Sequence, residues 1–337
     1  MSMRLQRLGP GNEEIDQQRE AGADSGMRPS HRRTDFLAGL PVQESESVQL
    51  GPGTVEYVSR QVRGRDLVTL SYKVQPKLTV HTVPKRDWVF LMMSLNPRSD
   101  WVFNGCVARP SDLFLSAGRD GYMTTGQDRH IIAIGIRRTR LISACAALSG
   151  VGAEDVRLRD LVLPREQDIG QRLRRALIAA ATGAGDKPLS RGQFGMPEAL
   201  ENDLTSLLAE RLAPTVHRGF DASPLRMNAV RVVRSAIAVS EALPAPSLAE
   251  LCGAAGVSQR WLHKSFVDVL GVSPYRYIRL ARLSKARELL TSGETKPAVV
   301  KRVSLSLGYR LSGRFAADYR SLFGENPSDT LRVSGRV

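Results

Sequence analysis

Gln259, Arg260, His263 and Lys264 place four polar or basic side chains in one short stretch. Arg260, His263 and Lys264 stand three and four residues apart, so a helix would carry them on one face. A guanidinium can grip the guanine edge with two hydrogen bonds, and an ammonium can reach guanine or a phosphate. The chemistry such a face could do is recognition of a nucleic acid, not bond making. A second stretch offers Arg310, Ser312, Gly313, Arg314 and Ala317. Either face could also be an ordinary solvated surface, so the weight falls on the elements that position them.

Those elements are legible as two helix-turn-helix units. Pro224 suits a first helical position, and Val230, Val233 and Ile237 give the helix that follows an apolar stripe. Ser247-x-x-Glu250 reads as a capping box, in which each side chain satisfies a free backbone donor. Leu248, Leu251, Val257, Leu262 and Phe266 then point inward, Gly256 makes the turn, and Ser258 caps a helix from Gln259 to about Leu270. Trp261 fits packing and DNA contact equally well. Ser273-Pro274 opens a joining helix to about Leu290, whose arginines and lysine fall all around it, so only some can face DNA. Pro297 opens the second unit: Val300, Val303 and Leu307 form its stripe, Gly308 its turn and Ser312 its cap, and Phe315, Tyr319 and Phe323 anchor the last helix. Such helices have the size and charge to enter a major groove.

Charge agrees. The chain of 337 residues carries a net charge of +14, and from Leu225 onward it has 18 Lys+Arg against 8 Asp+Glu. An anionic partner is implied. Cys106, Cys145 and Cys252 are widely spaced, with no CxxC pair, which suggests neither a disulfide framework nor a zinc site. No apolar run is long enough for a bilayer and the start lacks a signal-peptide pattern, so a cytoplasmic location and no membrane partner are expected.

The remainder predicts an α+β multidomain chain. Residues 1–33 are polar and read as a mobile tail. Residues 34–164 hold short β-rich runs such as Leu78-Thr-Val-His-Thr-Val and Trp88-Val-Phe-Leu-Met-Met, separated by turn signals. A β-rich, cupin-like barrel for sensing or dimerisation is expected there. Trp88, Phe90, Trp101, Phe103 and Phe114 are candidates to line an effector pocket, although a packed core uses the same residue types. Residues 165–212 predict a helical hairpin, from Leu173 and Leu177 and then Leu200, Leu204, Leu207 and Leu208. Residues 213–223 read as a linker, and 224–337 as an all-α domain of two helix-turn-helix units joined by a helix.

In that last third the chain resembles the AraC/XylS family of bacterial transcription regulators. The resemblance rests on Leu248-Ala-Glu-Leu, Gly256-Val-Ser, Gly271-Val-Ser-Pro-Tyr, Arg282-Leu283, Leu307-Gly-Tyr309, Ser312-x-x-Phe315 and Phe323-Gly-x-Asn-Pro-Ser328, in order and at the family's spacing. It implies two recognition helices in successive major grooves of promoter DNA, activation beside RNA polymerase, and an N-terminal domain that binds a small-molecule effector or forms a homodimer. By motif position it assigns contacts to Arg260, His263 and Lys264, and to Ser312, Gly313, Arg314 and Ala317. Ala317 stands where the family commonly has a basic residue and Ser304 where it prefers alanine. Gly313 weakens an exposed helix by about 0.5–1 kcal/mol relative to alanine. The first unit should therefore dominate base reading, and the second should hold phosphates.

An enzyme is not expected, and neither is a cofactor. A metal-dependent cupin enzyme needs clustered ligands, typically His-x-His, whereas His81 and His130 are isolated. No P-loop, Gly-x-Ser-x-Gly elbow or His-Glu-x-x-His pair occurs. The remaining alternative is a DNA-binding regulator without an effector, whose N-terminal domain only dimerises or docks a partner.

Overall fold

Runs rich in β-branched and aromatic residues form the strands of the N-terminal half, and turns separate them. In this computed structural model residues 39–95, 101–109, 112–163, 169–183, 188–190, 193–216, 224–243, 246–292 and 298–334 are described. The expected tail and most of the expected linker lie outside them. The strands are β1 (Val42–Gln49), β2 (Glu56–Arg63), β3 (Leu67–Gln75), β4 (Leu78–Pro84), β5 (Trp88–Ser94), β6 (Trp101–Phe103), β7 (Cys106–Val107), β8 (Leu113–Ser116), β9 (Tyr122–Gly126), β10 (Arg129–Arg137), β11 (Leu161–Leu163), β12 (Pro188–Ser190) and β13 (Gln193–Gly195). Helices α1 (Arg138–Ser149), α2 (Ile169–Gly183) and α3 (Glu198–Val216) interrupt or follow them.

The strands build two sheets, in the orders β1-β4-β9-β6-β7 and β11-β8-β5-β10-β3-β2-β13-β12. This corrects the expected barrel: among the described residues no ladder closes the sheets into one. Two layers of burial explain why closure is unnecessary. Tyr72, Val80, Phe90, Trp101, Phe103, Phe114 and Ile131 fill the space between the sheets. On the larger sheet's other face, Leu91, Ile132 and Ile134 pack with Leu141 of α1, Leu173 and Leu177 of α2, and Leu204 and Leu208 of α3. A strand buried on both faces loses its apolar alternation and can sit in an open sheet flanked by helices.

The expected hairpin is present as α2 and α3, but α1 joins it, and α3 runs through Pro214 to Val216, beyond the expected end at Leu212. The C-terminal third is helical: α4 (Pro224–Ala242), α5 (Leu248–Ala255), α6 (Gln259–Leu270), α7 (Pro274–Ser292), α8 (Ala298–Ser306), α9 (Ser312–Phe323) and α10 (Pro327–Ser334). Val233, Leu251, Leu262, Phe266, Leu283, Phe315, Tyr319 and Phe323 share one core.

That core does not stop at the helices. Leu50 and Met123 of the β-rich half belong to it. The Gln49 backbone N–H donates to Ser284 Oγ at 3.2 Å, its side-chain amide to the Leu322 carbonyl at 3.0 Å, and the Gly53 N–H to the same carbonyl at 3.0 Å. Arg234 of α4 pairs with Asp120 at 3.7 Å. The smaller sheet is thus a wall between the aromatic interior and the helical domain. On β9, Tyr122 faces the interior while its neighbour Met123 packs with the helices.

Candidate nucleic-acid interface

The first recognition element begins with its cap. Ser247 Oγ accepts from the Glu250 backbone N–H at 3.2 Å, and the Glu250 carboxylate accepts from the Ser247 N–H at 2.7 Å. The expected capping box is therefore present. These bonds also hold the Glu250 carboxyl below the usual carboxylate range. Gly256 ends α5 at φ 65°, a left-handed conformation that a side chain would strain, and so turns the chain toward α6. Ser258 Oγ then accepts from the Trp261 N–H at 3.3 Å. Ser247→Ala should lower the stability of the helical domain by about 1 kcal/mol. A chemical-denaturation midpoint reads that loss, and an unchanged midpoint would deny the cap its role.

Helix α6 divides cleanly. Leu262, Ser265, Phe266, Val269 and Leu270 are buried. Gln259, Arg260, His263 and Lys264 are all exposed, on the opposite side. Trp261 is half-buried and packs against the core, which resolves its role toward packing. Arg260 has no ion pair among the described residues. Lys264 is held by Asp268 at 2.7 Å, one turn on. An exposed pair of this kind contributes at most about 1 kcal/mol, so a phosphate can compete for the ammonium.

The second unit repeats the division with weaker local signals. Val303 and Ser304 of α8 are buried, with Val299, not Val300, as the buried start of the stripe. Ser304 is accommodated because its Oγ donates to the Lys301 carbonyl at 2.9 Å. Gly308 adopts φ 79° at the turn. Ser312 is not the cap: Leu311 holds that position without a side-chain bond, and Ser312 is the first residue of α9. Phe315, Tyr319, Leu322 and Phe323 point inward. Arg310, Ser312, Gly313, Arg314 and Ala317 are exposed.

The joining helix α7 uses some of its arginines internally. Arg279 binds Asp318 of α9, with Nε donating at 2.9 Å. Arg287 pairs with Glu325 at 2.9 Å and lies 4.8 Å over the Phe323 ring. These ties fix α9 against α7, so the two exposed faces belong to one packed body.

The candidate effector residues sit elsewhere. Phe90, Trp101, Phe103 and Phe114 are at most 2% exposed. Trp101, Phe103 and Phe114 are in mutual contact, with ring centroids 5.0 Å apart for Trp101–Phe114 and 4.9 Å for Phe103–Phe114, and Phe90 meets Tyr122 at 6.0 Å. Trp88 packs at the edge of this cluster under the Arg137 guanidinium, 4.9 Å from its ring centre. His81 Nε2 lies 3.2 Å from the Asp120 carbonyl, and His130 Nε2 lies 3.4 Å from Ser71 Oγ. Among the described residues no three His, Cys, Asp or Glu side chains gather to hold a metal ion.

A helix, a glycine turn and an exposed polar helix, built twice around one core, define a double helix-turn-helix domain. A family described as "Helix-turn-helix domain" matches residues 251–332. The "XylDLEGF operon transcriptional activator 2" of Pseudomonas putida is 40% identical over 87 residues, which are 26% of this chain and 55% of that one. The "Probable thc operon regulatory protein" of Rhodococcus erythropolis is 34% identical over 87 residues, 26% of each chain. Among solved structures, "a probable AraC family transcriptional regulator" from Rhodopseudomonas palustris is 35% identical over 31% of this chain and 96% of that one, with a TM-score of 0.28. The match spans about half the length of the first of these curated relatives and about a quarter of the second. Residues 251–332 thus carry a helix-turn-helix domain similar to that of AraC/XylS transcription regulators.

Proposed function

We propose that the protein is a sequence-specific, DNA-binding transcription regulator that reads two successive major grooves of a promoter. One observation carries this: two exposed polar and basic faces, on α6 and α9, are each backed by a buried stripe in the same core. Arg260, His263 and Lys264, with Gln259 beside them, read base edges. Arg310, Ser312, Gly313, Arg314 and Ala317 lie along phosphates, since only the two arginines of that set are charged. Residues 224–337 act as the DNA-binding unit, and 34–164 with the hairpin of 165–212 as the sensing or dimerising unit. Activation beside RNA polymerase, response to an effector and a cytoplasmic location complete the reading. An enzymatic role has no support in the family.

A second reading keeps the DNA-binding unit but gives the β-rich half no effector, only dimerisation or docking. The close contact among Trp101, Phe103 and Phe114 favours it, because packed rings leave no preformed cavity between them. The test of the main reading is competition at fixed salt. Full-length protein should prefer its best duplex over bulk DNA by on the order of 10³ or more. Equal affinity for both would reduce the protein to a charge-driven binder. Arg314→Ala should weaken binding to all duplexes alike and lower the salt slope by about one. A loss confined to particular sequences would instead make Arg314 a base reader.

A further inference from the structure

Arg129 opens β10 and alternates with Ile131 and Ala133, which both face the space between the sheets. It is 1% exposed. Its Nη1 donates to Thr124 Oγ1 at 3.1 Å, but Nε and Nη2 have no partner among the described residues. Among the described residues, the Tyr72 hydroxyl and not a carboxylate favours its charge, and burial dominates, pushing the guanidinium below its ordinary value. A guanidinium remains a cation at neutral pH even so, and a cation sealed from water without a counter-charge is strongly disfavoured.

A second donor stands on the facing sheet. The Trp101 indole Nε1 is buried and also unpartnered. Strand β6 pairs with β9 so that Trp101 lies opposite Gly126 and Phe103 opposite Thr124. Trp101 is therefore the diagonal neighbour of Thr124, the residue that Arg129 already touches. Three donor atoms here, Arg129 Nε and Nη2 and Trp101 Nε1, have no acceptor among the described residues, and the walls around them are Trp101, Phe103, Phe114 and Tyr122. The complement of that set is an acceptor-only anionic head on an apolar body.

We propose that Arg129 anchors a small organic carboxylate between the two sheets, with Trp101 as a second donor and the aromatic cluster against the ligand's apolar part. The proposal deepens the effector-responsive reading above and rests on it. Guanidinium and carboxylate match as a forked, charge-assisted pair, and the low dielectric of the interior strengthens that pair. Because Trp101, Phe103 and Phe114 touch one another, the ligand's body enters by parting them. Binding is therefore readable in tryptophan emission. The site also lies one strand from the helical domain, since β9 carries Thr124 inward and Met123 among the helices.

The test titrates full-length protein, without DNA, with hexanoate and cyclohexanecarboxylate, and with the neutral hexanamide and cyclohexanecarboxamide. Tryptophan fluorescence and calorimetric heat are followed. Saturable binding of at least one acid is expected, with its amide at least tenfold weaker. Arg129→Lys should retain part of that affinity, and Arg129→Met should lose at least tenfold. Amides that bind as well as the acids, an undiminished Arg129→Met, or no saturable binding of either acid would overturn the site. Folding gives a separate readout. Removing an uncompensated charge should raise the Tm of ligand-free Arg129→Met by about 2–4 °C. A fall of that size would make Arg129 a structural tie and overturn the proposal. Because no DNA is present, these failures would leave the DNA-binding reading standing.

Discussion

Phe266→Ala is expected to lower the stability of the helical domain by about 3–5 kcal/mol and to abolish specific DNA binding. Phe266 is 1% exposed on the inner side of α6 and meets Tyr277 of α7 edge-on at 5.6 Å. Losing the ring removes its burial and also leaves a cavity that α5, α6 and α7 cannot fully collapse around. Net stabilities are only about 5–15 kcal/mol, so the domain would approach its unfolding midpoint. Urea unfolding followed by helical circular dichroism checks this. A loss below about 1 kcal/mol would mean that α6 is not held by the core described here.

Arg260→Ala should behave in the opposite way. Arg260 is exposed and makes no ion pair among the described residues, so stability should stay within about 0.5 kcal/mol of the parent. Affinity for the preferred duplex should fall by about 1–3 kcal/mol, and discrimination should relax at one base position. A forked guanidinium supplies both affinity and selectivity, so both should go together. Competition against duplexes that vary each base in turn reads the two effects. A uniform loss across all sequences would move Arg260 to the phosphates.

The contrast between these variants shows what was legible in the chain. Ser247 with Glu250, Gly256 and Ser258 are local signals whose meaning depends on nearby backbone, and α5 begins and ends, and α6 begins, where those residues predict. The same logic makes Ser312 a cap, one residue away from the true position, because α9 starts behind a leucine that offers no side-chain bond. In the β-rich half, Leu113–Ser116 and Tyr122–Gly126 are buried throughout, so they have no apolar alternation to betray a strand. Helix α1 buries only Leu141, Cys145 and Ala146, too sparse a stripe to stand out from the strands before it. Whether two sheets close into a barrel depends on edges far apart in sequence, which periodicity does not encode. The partnership of Leu50 and Met123 with the helices is invisible for the same reason. Arg129 left a fainter sign: an arginine in register with Ile131 and Ala133, on the apolar phase of its strand.

The central claim is that two helices of one chain read DNA side by side. Selection of bound sequences from random duplex DNA by the full-length protein tests it most directly. Two conserved blocks with centres about 10 bp apart are predicted, the block read by α6 being the sharper. If no sequence were enriched, and binding simply faded as salt rose, the faces on α6 and α9 would be charge without specificity, contradicting the account.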